Sequence, residues 1–348
     1  MRGETEEVTL AVGSPVSVVI PARNAETTLP ETLEAIFSQD YPGEVEVIVA
    51  DGSDTAATAE VVRREYPQVR LIRNHDQGIP AGLNRAIEAA SHRIIVRCDA
   101  HAIFPPGYLR RIVETLAATG AANVGGRQDP IGTSVFERAS AAAITSRLGS
   151  GGARYRIGGS EGPIDTVYLG AFRREALEAI GGYDHSLARN EDYELNWRLR
   201  ERGEMVWFDP DLAVAYRPRS GFRALARQYF DYGRWKSSVL RQYPASIRTR
   251  HLAPPLLVMG LAASAALALA GAPTLAAAVP AAYLVTLLAG SVTIGIRRRD
   301  WAVVLLPLVL ATMHLSWGVG FFLKAHRMKN GKPGGRSSGA GEGASDSR

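Results

Sequence analysis

The stretch Arg93-Ile94-Ile95-Val96-Arg97-Cys98-Asp99-Ala100-His101-Ala102 decides how the chain is read. Ile94, Ile95 and Val96 form a short apolar run, the pattern of a strand buried on both faces. Asp99 and His101 follow at once, and Phe104-Pro105-Pro106-Gly107 breaks the chain before the next helix. A carboxylate and an imidazole two residues apart, just past the end of a central strand, stand where open α/β sheets place their ligands. Both are competent ligands for a divalent cation such as Mn2+ or Mg2+. The same residues also make an ordinary turn with a histidine in it, so the surrounding sequence has to separate the two readings.

Toward the amino terminus the pattern repeats. Val16 to Ile20 is an apolar strand ended by Pro21, and Leu29, Leu33, Ile36 and Phe37 then recur at helical spacing, with Thr27 or Thr28 as N-cap. Val45 to Ala50 is a second strand, followed by Asp51-Gly52-Ser53-Asp54 and a helix to about Tyr66. Val69 to Ile72 is a third strand and Gly82 to Ala90 a helix. Alternating strands and helices of this length predict an α/β fold with a mostly parallel sheet covered on both faces. Polar residues gather at the strand ends: Arg23 and Asn24, then Asp51 and Ser53, then Asp99 and His101. Asp51 also fits plain turn chemistry, since Asp-Gly-Ser forms turns anywhere. No Gly-x-Gly-x-x-Gly follows a strand and no Gly-Lys-Ser/Thr loop occurs, which argues against a dinucleotide dehydrogenase and a P-loop ATPase.

Composition sets wider bounds. The 348 residues suffice for one large or two modest domains, and the net charge of +5 favours anionic partners. The single cysteine, Cys98, excludes an internal disulfide and reads as a small core residue in a reducing compartment. Met1 to Gly13 is polar and acidic, with no signal-peptide core, and residues 1–14 are expected to be a disordered leader.

Three motifs in order, Val18-Val19-Ile20-Pro21-Ala22-Arg23-Asn24, Val47-Ile48-Val49-Ala50-Asp51-Gly52-Ser53 and Val96-Arg97-Cys98-Asp99-Ala100-His101, resemble the family 2 inverting glycosyltransferases of GT-A fold. The resemblance covers about residues 15–240. Two positions depart from the family pattern: Ala50 replaces the first acid of Asp-Asp-Gly-Ser, and His101 replaces the second acid of Asp-x-Asp. The Asp-Ala-His form is similar to the subgroup of the succinoglycan β-1,3-glucosyltransferase. The resemblance implies a Rossmann-like domain over 15–215, with a nucleotide-sugar half (15–105) and an acceptor half (106–215). It implies that Pro21, Arg23, Asn24, Asp51, Gly52, Ser53, Asn84 and Asp99 surround the nucleotide. Asp99 and His101 would hold a divalent metal on the donor diphosphate. A metal ion bridging those oxygens stabilises the negative charge that grows on the leaving group.

Farther on, Asp165 to Phe172 reads as a strand ending in a small-residue turn at Gly170 and Ala171, where a sugar ring could approach the backbone. A tight turn alone also explains them. Arg174 to Ile180 is a short helix closed by Gly181-Gly182. Glu191 and Asp192 open a helix that ends near Gly203. Acids in a first turn are commonly only dipole partners. With the upstream motifs in place they match the family's Glu-Asp pair, which implies that Asp192 is the general base. From Arg217 to Arg250 there are nine Lys or Arg residues and one acid, Asp231, interleaved with aromatics. No recognised nucleic-acid module accompanies them, so residues 216–251 are expected to be an interfacial segment on anionic lipid, with Arg234 and Trp235 lining the acceptor site.

Leu252 to Ala272, Thr274 to Ile296 and Trp301 to Leu323 are each about the 20 residues that cross a bilayer. The expected organisation is therefore a cytoplasmic catalytic domain, about three membrane helices over 252–324, and a disordered basic tail over 325–348. The basic run before Leu252 and Arg297-Arg298-Arg299 both fall on the cytoplasmic side under the positive-inside trend. Three crossings would place the basic segment after Leu323 outside, against that trend. The expected activity is transfer of a sugar from a nucleotide diphosphate-sugar, UDP-linked, to a lipid-linked or growing glycan. Two alternatives stay open: a polyprenyl-phosphate sugar synthase, and a non-catalytic nucleotide-sugar-binding subunit of an export complex.

Overall fold

The computed structural model describes residues Leu10 to Leu323. Its strands are β1 (Val16–Ala22), β2 (Val45–Asp51), β3 (Arg70–Arg73), β4 (Ile94–Arg97), β5 (Asn123–Pro130), β6 (Gly162–Pro163), β7 (Tyr168–Arg173) and β8 (Val206–Tyr216). They form one sheet in the order β3-β2-β1-β4-β7-β5-β8-β6. The pairs β1/β2, β2/β3, β1/β4 and β5/β8 are parallel, whereas β7 runs antiparallel to both β4 and β5. The helices between them are α1 (Leu29–Phe37), α2 (Ala57–Glu65), α3 (Ile79–Ala89), α4 (Tyr108–Thr119), α5 (Val135–Ile144), α6 (Arg147–Ser150), α7 (Arg154–Ile157), α8 (Arg174–Ala179) and α9 (Glu191–Glu201). After β8 come α10 (Phe222–Gln242), α11 (Thr249–Leu269), α12 (Pro273–Ala276), α13 (Ala278–Arg298) and α14 (Leu306–Phe322).

Period-two alternation divides the core. Val18, Ile20, Ile94 and Val96 face one side, where Leu29 and Leu33 of α1, Val62 of α2 and Ile112 of α4 cover them. Val19, Ile48 and Ile95 face the other, against Leu83 and Ala86 of α3, Leu177 of α8 and Leu195 of α9. All three apolar residues of β4 are fully buried, and each such side chain contributes about 1.5–3 kcal/mol. The chain steps outward from β1 to β2 and β3, then returns to the other flank of β1 for β4. The crevice at the carboxyl ends of β1 and β4 is therefore the topological switch point.

Several boundaries differ from expectation. Helix α3 starts a turn early, at Ile79, because Pro80 has the backbone angle a first helical turn needs. Residues 10–14 are placed against the domain rather than loose: Leu10 packs on the core and the Ser14 carbonyl accepts from the Tyr41 hydroxyl. The rest of the expected leader, and the expected tail over 325–348, lie outside the described residues. Strand β7 does not end at Gly170 and Ala171. Ala171 is paired with Val96 on one side and Val124 on the other, and both residues are buried. A Cβ on Gly170 would stand 2.1 Å from Asn123 Oδ1, so the glycine is there for a buried amide and leaves no face for a sugar ring.

Three stretches, Thr249–Leu269, Pro273–Arg298 and Trp301–Phe322, are long and apolar enough to cross a membrane. The preceding helix α10 is not a free surface element. Leu225 and Tyr229 join α5, α13 and α14 in one apolar cluster with Leu306, Val309, Leu310 and Met313. A Cβ on Gly233 would meet the Trp317 carbonyl oxygen at 2.0 Å, and one on Gly320 the Phe230 carbonyl oxygen at 2.1 Å. Two glycines thus let α10 and α14 cross backbone to backbone. Farther along, Trp235 and Val239 pack with Leu187 and Tyr193. Trp235 is 4% exposed, which removes it from any acceptor-lining role and makes it part of the floor beneath α9. Arg234 instead pairs with Asp231 at 3.1 Å.

Candidate active site

At the carboxyl end of β4 one guanidinium gathers three carboxylates. Arg97 Nε donates to Asp99 Oδ1 at 3.1 Å, Nη1 bonds Asp192 Oδ1, and Nη2 bonds Glu191 Oε1 at 3.3 Å. The Arg97 side chain is 4% exposed and lies over the Tyr183 ring, 5.8 Å from its centroid. A buried arginine is tolerable only with such partners. The sequence reading missed Arg97 as a functional residue. Its signal was a lone basic residue closing an otherwise apolar strand, but two of the three acids that justify it lie more than ninety residues away.

The acids arrive there because α9 is held rigidly. Asn190, in left-handed conformation at φ 64°, precedes the helix and leaves its first turn without a side-chain cap. Asn is among the few side chains that adopt this conformation readily. Glu194 accepts two bonds from Arg198, and Arg198 also donates to the Ile180 and Gly182 carbonyls. Asn196 donates to Thr166 and accepts from Asn123. Asn84, expected beside the nucleotide, is engaged by protein instead. Its Oδ1 accepts from the Tyr183 N–H and its Nδ2 donates to the Tyr183 carbonyl, each at 2.8 Å. It secures the segment leading to α9.

A place in the first turn of α9 by itself favours an ionised Asp192, but its setting works the other way. Burial pushes its pKa up to about 7, against the Arg97 charge and reinforced by Glu191 and Asp99. The side chain retains 31% of its surface, and solvent on that open side tempers the effect without reversing it. The result is a carboxylate poised near neutrality, as a general base requires. Cys98 behaves as expected of a core residue: burial raises its thiol pKa well above the ordinary value, so no thiolate is at hand.

Asp99 is 21% exposed, with Arg97 on Oδ1. A turn closed by the Ala102 N–H on the Asp99 carbonyl, at 2.9 Å, carries the exposed His101 on the same strand end. Among the described residues no group of three or more His, Cys, Asp or Glu could hold a metal ion. This donor set fits a cation that takes one or two protein ligands and completes its shell with substrate phosphate oxygens and water.

The β1 and β2 ends are stapled together. Gly52 N–H donates to the Ala22 carbonyl, Asn24 N–H to Ser53 Oγ, and Ala25 N–H to Thr58 Oγ1. Pro21 lies where β1 has already passed the end of its β4 pairing, so its missing N–H leaves that ladder intact. Asp51, 2% exposed, accepts from the Ser53 N–H at 2.9 Å and faces Arg73 at 3.7 Å. It is a turn former and the floor of a cleft at once. That cleft, about 320 Å³, is lined by Asp51, Asp54, Thr55, Arg63, Leu71 and Arg73 among others. It opens on the β3 side of Asp51, whereas the Arg97 cluster lies beyond β1. Arg23 pairs with Asp54 at 3.1 Å on its rim.

Comparison with known proteins places the chain in a family. The Glycosyl transferase family 2 model matches residues 17–181. The chain is 32% identical to the succinoglycan biosynthesis protein ExoA of Rhizobium meliloti, over 88% of this chain and 93% of that protein. It is 22% identical to a dolichyl N-acetyl-α-D-glucosaminyl phosphate 3-β-D-2,3-diacetamido-2,3-dideoxy-β-D-glucuronosyltransferase of Methanococcus voltae, over 88% of this chain and 96% of that one. Its fold is similar to that of a mannosyltransferase from Pyrobaculum calidifontis in complex with GDP-Man and Mn2+. The TM-score is 0.58 at 21% identity, covering 88% of this chain and 86% of the other. The sheet order and the matched motifs agree with these likenesses, and the chain belongs to glycosyl transferase family 2.

Proposed function

We propose that the protein moves a sugar, with inversion, from a nucleotide diphosphate-sugar to a lipid-linked or growing polysaccharide acceptor at the membrane. The observation that carries this reading is the shared guanidinium: Arg97 brings the diphosphate-side carboxylate Asp99 and the candidate base Asp192 to one point at the switch crevice. Asp192 accepts the proton of the acceptor hydroxyl as that oxygen bonds to the anomeric carbon. The nucleotide diphosphate leaves from the opposite face, so one base and no covalent enzyme intermediate suffice. Asp99, with His101 beside it, would hold Mn2+ or Mg2+, which when bound offsets charge on the leaving diphosphate. Asp51, Gly52 and Ser53, with Arg23 and Asn24 opposite, form the nucleotide edge. Glu191 stays on Arg97 and fixes its orientation.

The similarity to a succinoglycan biosynthesis protein supports an exopolysaccharide acceptor, and the bound Mn2+ and GDP-Man of the Pyrobaculum enzyme support a metal-assisted nucleotide-sugar donor. The three apolar helices support a multi-pass membrane protein, and the basic residues before α11 favour a cytoplasmic catalytic domain. The test is purified protein in detergent, offered UDP- and GDP-sugars with Mn2+, with lipid-linked glycan or polyprenyl phosphate as acceptor. Transfer to the glycan from one donor is expected. Transfer only to polyprenyl phosphate would assign the alternative activity, and no transfer or donor hydrolysis with any donor would oppose the catalytic reading.

A further inference from the structure

Beneath α9, away from the Arg97 cluster, four basic side chains crowd one carboxylate. Asp165 bonds Arg250 and lies 3.9 Å from Arg248. Arg200, on α9, has its Nε and Nη2 buried without any hydrogen-bond partner. Lys236, on α10, is 6% exposed and has no acid within ion-pair reach among the described residues. Its Nζ sits 3.1 Å from the centre of the Tyr193 ring. Burial first, then Arg250 and Arg156, press the Lys236 pKa well below its ordinary value, with Asp165 alone opposing.

Gathering this many basic groups around one carboxylate, with Lys236 buried, is costly unless an anion joins them. The protein supplies one carboxylate, already taken by Arg250. The unfilled valence is therefore negative, compact and rich in acceptor oxygens, which describes a phosphate. Its position narrows the source. Arg248 and Arg250 stand at the start of α11, the first helix able to cross a membrane. Arg248 remains 48% exposed, so the cluster opens to the surface beside the start of that helix. The amino-terminal end of this 21-residue helix adds its own positive end.

We propose that Lys236, Arg200, Arg248 and Arg250, set about Asp165, form a binding site for the phosphate of a membrane lipid. The site is separate from the donor crevice and does not depend on the identity of the sugar. Either a phospholipid headgroup or the phosphate of a polyprenyl-linked glycan supplies that chemistry.

The experiment measures binding to the full-length protein in neutral detergent. The probes are dioctanoyl phosphatidylglycerol, a polyprenyl diphosphate and uncharged dioctanoylglycerol, titrated into wild type, Lys236→Met and Arg200→Gln. We expect one or both phosphate lipids to bind and each substitution to weaken that binding about tenfold or more, the scale of losing a charged hydrogen bond. Loss for phosphatidylglycerol assigns a headgroup; loss for the polyprenyl diphosphate alone assigns the linked glycan. Binding of UDP with Mn2+, measured on the same samples, reports that each variant is folded and tests the glycosyltransferase reading separately. Equal affinity for dioctanoylglycerol, or unchanged phosphate-lipid affinity in both variants, would overturn the proposal.

Discussion

Replacing Arg97 with methionine keeps the length of the side chain and removes the charge that Asp99, Glu191 and Asp192 share. Taking one partner from a buried ion pair typically costs about 3–5 kcal/mol. Asp192 keeps an open side, so the lower end applies. The cost also depends on pH, with a sign that can be worked out. Asp192 in the folded wild type is already raised to about 7, and without the guanidinium it rises further. The unfolded value is about 3.9. Between these values the folded state holds a proton that the unfolded state has lost, so stability falls as pH increases. Wild type shares this fall up to about pH 7; above it the variant continues alone, losing about 1.4 kcal/mol more per pH unit. Arg97→Met should therefore melt below wild type at pH 5 and farther below it at pH 8, read by apparent Tm in detergent. Matching melting curves at both pH values would refute the claim that Arg97 neutralises this cluster.

Other expectations follow from the same geometry. Because the base must be unprotonated, kcat/KM should rise with pH and level off above about 7, whereas a flat profile from pH 5 to 8 would show that Asp192 does not titrate in the free enzyme. Asp99→Asn should abolish the gain in UDP affinity that Mn2+ gives, with His101→Ala weaker in effect; calorimetry with and without Mn2+ measures this, and equal UDP affinity in both conditions for wild type would remove the metal assignment. Gly233→Val would drive a side chain into the Trp317 carbonyl and should cost about 1–3 kcal/mol by separating α10 from α14. An unchanged melting curve would show that this crossing carries no stability.

Much of the fold was legible because alternating strands and helices imprint short-range patterns. Ile94-Ile95-Val96 read as a buried strand from three residues alone, and the three apolar helices from their length. What failed were inferences about single small or polar residues whose reasons lie elsewhere in the chain. Gly170 looked like a turn glycine, yet it makes room for Asn123 across the sheet. Asn84 looked like a ligand for the nucleotide, yet it ties down the Tyr183 backbone. Trp235 lay among enough arginines to suggest an exposed interfacial helix, but α10 carries two packing faces, one for α9 and one for α14. In the candidate site, Asp99 and Asp192 were marked by motif, whereas Arg97 gains meaning only when β4 and α9 meet.

The central claim is that Asp192 takes the acceptor proton. The direct measurement is turnover and donor affinity, side by side, for Asp192→Asn and Glu191→Gln. Asparagine preserves shape and one acceptor oxygen, so donor affinity should stay near wild type while turnover falls about 10²–10⁴-fold. Glu191→Gln should lose less, since the Glu191 side chain is buried against Arg97 Nη2 while Asp192 keeps an open side. Near-wild-type turnover in Asp192→Asn together with an inactive Glu191→Gln would contradict the account and move the base to the neighbouring carboxylate.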